Sequence, residues 1–132
     1  MSILDLTSYN VNDSQDPEVA DADTDVELRI VDVKMDINKS GNPYFLARFE
    51  VSDQPLTKEF TRYFALPHKD MSEKQLNACQ NNMRKFGEAF DIDFSSKINL
   101  EDLKGLTGWA ILGIEENEEY GEQNYVKRFT TG

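Results

Sequence analysis

Cysteine and histidine occur once each in this 132-residue chain, at Cys79 and His68. A lone thiol excludes an internal disulfide, and one of each excludes the His/Cys cluster of a structural zinc site. No metal or cofactor is expected, and His68, placed after a proline, reads as a surface residue. Long hydrophobic runs are also missing: nothing approaches the roughly 20 apolar residues that cross a bilayer, so no membrane association is expected. The opening MSILDLTSYN lacks the basic flank and long apolar centre of a signal peptide, which makes a reducing cytoplasm the default setting. Enzyme signatures are lacking as well. There is no G-x-S-x-G elbow, no glycine-rich phosphate loop and no histidine beside a nucleophile. The DIDF stretch at Asp91 to Phe94 has none of the glycine and ligand period of a calcium loop. The expectation is a protein that is not an enzyme, with no catalytic residue to name.

Positive charge is scarce and unevenly placed. The formal net charge is -11, from 25 acidic and 14 basic residues. Residues 1–25 hold seven of the acids and no Lys or Arg. Glu115, Glu116, Glu118, Glu119 and Glu122 make a second acidic patch, and without these two segments 13 acids face 14 bases. The body of the domain is therefore close to neutral, and the overall charge describes its appendages. Residues 13–25, DSQDPEVADADTD, are acidic and lack a hydrophobic period, so residues 1–25 are expected to form a flexible arm and residues 26–132 the folded domain.

What is present is strand alternation with one helical stripe. VELRIVDVKMDI places Val26, Leu28 and Ile30 on one face, then switches phase to Val31, Val33, Met35 and Ile37. Such a switch predicts a bulged or strongly coiled strand, which a small curved barrel requires. NKSGN has turn chemistry, and PYFLARFEV follows with Phe45, Ala47, Phe49 and Val51 alternating inward. A third strand, KEFTRYFAL, has two faces that period alone does not rank. Ser72 and Gln75 form a capping-box pattern, and Leu76, Cys79, Met83, Phe86 and Phe90 recur at helical spacing. WAILGIEE and NYVKRFTT predict a closing hairpin with an acidic tip. Three strands, a helix and two strands are the element order of an all-β OB-fold: a five-stranded barrel with one helix between strands 3 and 4. An open antiparallel sheet crossed by one helix would use the same elements.

The candidate site is a set of bases interleaved with aromatics. Tyr44 and Arg48 alternate outward from the Phe45/Phe49 face, and the next strand carries Phe60, Arg62 and Tyr63. Exposed bases stack on flat side chains while cations follow phosphates, so this pattern suits single-stranded nucleic acid. Phe60 and Phe64 can equally fill the barrel. Trp109 reads as core. Lys127 and Arg128 alternate to opposite faces, so only one can line a groove, and Lys127 with Tyr125 is the expected pair.

The stretches ELRIVDVK, NKSGNPYFLARFEV, LKGLTGWAILGIEE and NYVKRF together resemble the small OB-fold single-stranded DNA-binding proteins encoded by phages. The turn around Gly41 and Asn42 and the LKGLTG lead-in carry the resemblance most directly, over roughly the last four-fifths of the chain. It implies sequence-tolerant binding of single-stranded DNA in phage replication, recombination or repair, in the cytoplasm of an infected bacterial host, with replication or recombination proteins as partners. The acidic C-terminal tail of better-known members is not matched by the closing FTTG. Both a monomer and a dimer are compatible with the sequence. The alternative function is an acidic protein-interaction or DNA-mimic module, whose carboxylates imitate a phosphate backbone and bind a basic host or phage protein.

Overall fold

The computed structural model describes residues 2–131; Met1 and Gly132, the outer ends of the two expected segments, lie outside them. The chain runs β1 (Asp25–Ile37), β2 (Pro43–Val51), β3 (Phe60–Ala65), α1 (Glu73–Phe90), β4 (Thr107–Asn117) and β5 (Gly121–Thr130). All five strands join one antiparallel sheet in the order β3-β2-β1-β4-β5. No helix among the described residues is long and apolar enough to cross a membrane.

The phase switch in β1 has the expected physical form. Ile30 faces Phe49 and Asp32 faces Arg48, so Val31 is the extra residue of a bulge. Residues 25–29 pair with β4 while residues 28–37 pair with β2, and the bulge bends the strand between these partners. The β1–β2 turn is closed by Asn38, whose amide donates to the Asn42 carbonyl at 2.9 Å, with Gly41 at φ 82°.

Helix α1 opens with a reciprocal cap: Gln75 N–H donates to Ser72 Oγ at 3.1 Å, and Ser72 N–H donates to Gln75 Oε1 at 3.0 Å. Its Cys79, Phe86 and Phe90 are buried, with Leu76 and Met83 half-buried beside them. Phe86 sits at the centre of the core, its ring 5.0 Å from Phe64, 5.9 Å from Phe45 and 5.6 Å from Phe129. The helix comes close enough to β4 that a Cβ on Gly108 would lie 2.6 Å from the Ala89 carbonyl oxygen. Phe45, Ala47, Phe49 and Val51 are all buried, as alternation requires.

Two departures matter for function. First, the acidic lead-in divides. Residues 2–18 are exposed, but Ala20 is a core residue at 2% exposure. Its N–H donates to Asn124 Oδ1 at 2.8 Å, and Asn124 Nδ2 donates back to the Ala20 carbonyl at 3.0 Å and to the Gly113 carbonyl at 3.1 Å. The Glu18 carbonyl accepts from Lys58 N–H at 2.8 Å, and Asp23 N–H donates to the Leu112 carbonyl at 2.9 Å. Residues 18–25 are thus attached to the sheet; composition hides this because the anchor is one alanine and one distant asparagine. Second, β3 and β5 are both edges of the sheet, yet they approach each other, with the Phe64 and Phe129 rings stacked at 6.3 Å and 16°. The sheet is not closed: β3 and β5 meet through side chains, and among the described residues no ladder joins them along this seam.

Candidate nucleic-acid interface

Directly opposed residues share a face of an antiparallel pair. The register Arg48↔Thr61 and Leu46↔Tyr63 therefore puts Tyr44, Leu46 and Arg48 on the same outer surface as Thr61, Tyr63 and Ala65. On that surface the Tyr44 and Tyr63 rings stack at 5.0 Å and 24°. Tyr63 remains 48% exposed, and its hydroxyl accepts from Asn38 Nδ2 at 3.1 Å. Asn38 is itself fixed by the turn, since its Oδ1 accepts from the amides of Ser40 and Asn42 at 3.0 Å each. The hairpin turn thereby holds a two-ring aromatic platform in place.

Arg48 is on this surface but is not a free cation. Its Nε lies 3.2 Å from Glu59 Oε1 and its guanidinium 3.8 Å from Asp32 Oδ2. Asp32 is held below the ordinary carboxylate range, first by the Val33 N–H and then by the Lys104 ammonium at 3.4 Å. Solvent screens half-exposed pairs of this kind and leaves them weak, so Arg48 can exchange a carboxylate for a phosphate at small cost.

On β3 the inward face is Phe60, Arg62 and Phe64. Phe60 is 3% exposed, 5.8 Å from the Phe49 ring, so its ring fills the core and offers no stacking surface. Arg62 points to the seam between β3 and β5. There a cleft of ≈ 700 Å³ is lined by Asp23, Arg62, Tyr125, Lys127 and Arg128, among others. The Arg62 guanidinium lies 5.3 Å from the Phe64 ring centroid, and its buried Nε has no hydrogen-bond partner among the described residues. Tyr125 lies over Gly113, where any Cβ would collide with its ring.

Lys127 and Arg128 line this cleft together, contrary to the alternation expected of a regular strand. Leu112 faces Val126 and Ile111 faces Arg128, so Lys127 is the extra residue of a bulge. A bulge re-aims side chains, and here it turns two consecutive bases to one side. Lys127 Nζ pairs with Asp23 Oδ1 at 2.5 Å, a contact that raises the lysine above its ordinary range.

The predicted residues thus separate into Tyr44, Arg48 and Tyr63 on the outer face, Arg62, Tyr125 and Lys127 at the seam, and Phe60 in the core. Two contributors to the site carry no clear signal in the sequence. Arg128 was lost to strict alternation. Asn38 shows only turn chemistry in the sequence. Trp109, expected inside, is 38% exposed opposite Glu27 and Thr130; the small Gly108 and Ala110 on either side of it are the buried positions, the one signal that could have revealed its facing. Among the described residues no three His, Cys, Asp or Glu side chains converge to hold a cation. No protein-family model matches the chain, and no curated protein matches it significantly.

Proposed function

We propose that this chain binds single-stranded DNA without sequence preference, as an OB-type barrel acting in phage replication, recombination or repair. The observation that carries the reading is the Tyr44–Tyr63 stack at 5.0 Å on the outer face of the sheet, with Tyr63 exposed and its hydroxyl held by Asn38 of the β1–β2 turn. A ring pair anchored on a rigid sheet accepts any base by its π-face, at about 1–3 kcal/mol per stacked base. The strand order β3-β2-β1-β4-β5, with α1 between β3 and β4 in the chain, supports an OB-fold whose closing seam is open. Edge strand β3 links the two halves of the site: Tyr63 lies on its outer face, and the neighbouring Arg62 reaches its free edge. A strand crossing that edge would meet stacking and charge in succession.

The rival reading is an acidic module that engages a basic protein, and one observation favours it: residues 2–18 are exposed and carry acids with no base. Anisotropy of a labelled oligo-dT at low and moderate salt separates the two. The proposal expects saturable binding that weakens with salt as counterions are released, and loss of affinity in Tyr63→Ala. No binding at low salt would reject it in favour of the acidic module.

A further inference from the structure

We infer that the seam between β3 and β5 is a phosphate-binding subsite whose resident counterion is Asp23. The cleft gathers Arg62, Lys127 and Arg128 against a single carboxylate, Asp23, in a chain of net charge -11. Among the described residues Arg62 and Arg128 form no ion pair. The Arg62 Nε is buried with no hydrogen-bond partner among the described residues, a donor that an anion or a water in the cleft would satisfy. Cation–π contact with Phe64 at 5.3 Å keeps the guanidinium beside that ring, and Arg62 lines the cleft, where its charge is available to an oxyanion.

Asp23 is built to occupy that place in the absence of ligand. Its backbone sits at φ 63°, a left-handed conformation that is uncommon outside glycine, asparagine and aspartate. The Asp23 N–H bond to the Leu112 carbonyl holds it there, with its carboxylate 2.5 Å from Lys127 Nζ. An incoming phosphate repels Asp23 and takes over Lys127, while Arg62 and Arg128 supply the charge that Asp23 alone does not neutralise. The ligand chemistry is a phosphate group, either a phosphodiester of the single strand or a free phosphate. The first source rests on the single-strand reading above, and the second does not.

Asparagine also tolerates left-handed backbone, so Asp23→Asn removes the charge and keeps the loop. Two readouts test the subsite. In the first, inorganic pyrophosphate is titrated into ¹⁵N-labelled full-length protein, and the Arg62 Nε–Hε resonance is expected to shift with saturation, more tightly in Asp23→Asn. In the second, the salt dependence of oligo-dT binding is compared between wild type and variants. Lys127→Gln and Arg128→Gln should each reduce the log–log slope by about 0.7, the value for one phosphate contact on a single strand. Tyr44→Ala should lower affinity with the slope retained, and Asp23→Asn should tighten binding at least about twofold at low salt. A pyrophosphate response without oligo-dT binding would support the subsite as a free-phosphate site and reject the single-strand reading. Oligo-dT binding with unchanged slopes in both glutamine variants and no pyrophosphate response would overturn the subsite and leave the single-strand reading standing. Silence in both readouts overturns both.

Discussion

Asn124→Ala is predicted to unfasten the acidic segment from the sheet. Asn124 is 3% exposed, and its amide makes three hydrogen bonds: one from the Ala20 N–H at 2.8 Å and two to the carbonyls of Ala20 and Gly113 at 3.0 and 3.1 Å. Each bond contributes roughly 1 kcal/mol net, and a buried donor left unsatisfied costs about 1–3 kcal/mol. The Ala20 N–H, on a residue 2% exposed, is such a donor. The expected loss is about 3 kcal/mol, which for a domain of this size lowers Tm by roughly 10 °C. Thermal melts by circular dichroism, with urea unfolding for the free energy, measure it directly. Asn124→Asp is the informative companion. It keeps an acceptor for Ala20 N–H but sets a carboxylate against two carbonyl oxygens, so it should rescue nothing at neutral pH. A Tm drop under about 3 °C in Asn124→Ala, with an unchanged urea slope, would refute the anchoring argument.

Tyr44→Ala and Tyr63→Ala should each weaken oligo-dT binding by about 1–3 kcal/mol with Tm little changed, since both rings lie outside the core; Arg48→Ala should cost less, because Glu59 and Asp32 already engage that guanidinium. Equal affinities in both tyrosine variants would place the groove elsewhere. Deleting residues 2–16 should leave Tm unaltered, as Ile3 and Leu4 are 85% and 84% exposed. Deleting residues 2–24 should lower Tm by removing Ala20, and matching melts for the two truncations would contradict the attachment. The Cys79 thiol, pushed up by burial and donating to the Ala65 carbonyl at 2.7 Å, should react with a thiol reagent far more slowly in the folded protein than in denaturant. Comparable rates would mean that the start of α1 opens readily.

The helix, the inward face of β2 and the bulge in β1 were legible in sequence because each is a local pattern. A stripe at three- and four-residue spacing, a clean alternation and a phase switch all follow from the geometry of one element. Tyr44 and Tyr63 were legible as outward-facing aromatics, one by alternation and the other as one of two open faces of its strand, although Tyr44 is half-buried beneath its partner. Their contact was not, because it depends on the β2–β3 register. Phe60 carried no signal to separate it from Tyr63; burial was decided by which face of β3 met Phe49 and Phe86. The second bulge was silent in sequence, since Tyr125 to Arg128 has no apolar phase to shift, and only pairing with β4 set Lys127 and Arg128 side by side. The attachment of residues 18–25 was equally silent: it depends on Asn124, about a hundred positions away, in a segment whose composition speaks for solvation. By itself the sequence determined the elements and their apolar faces, because these arise from local sterics and from burial of one face. Only the tertiary structure decided which edges meet, which charges share a cleft and which carboxylate sits among them, because those depend on contacts between residues that the chain alone does not bring together.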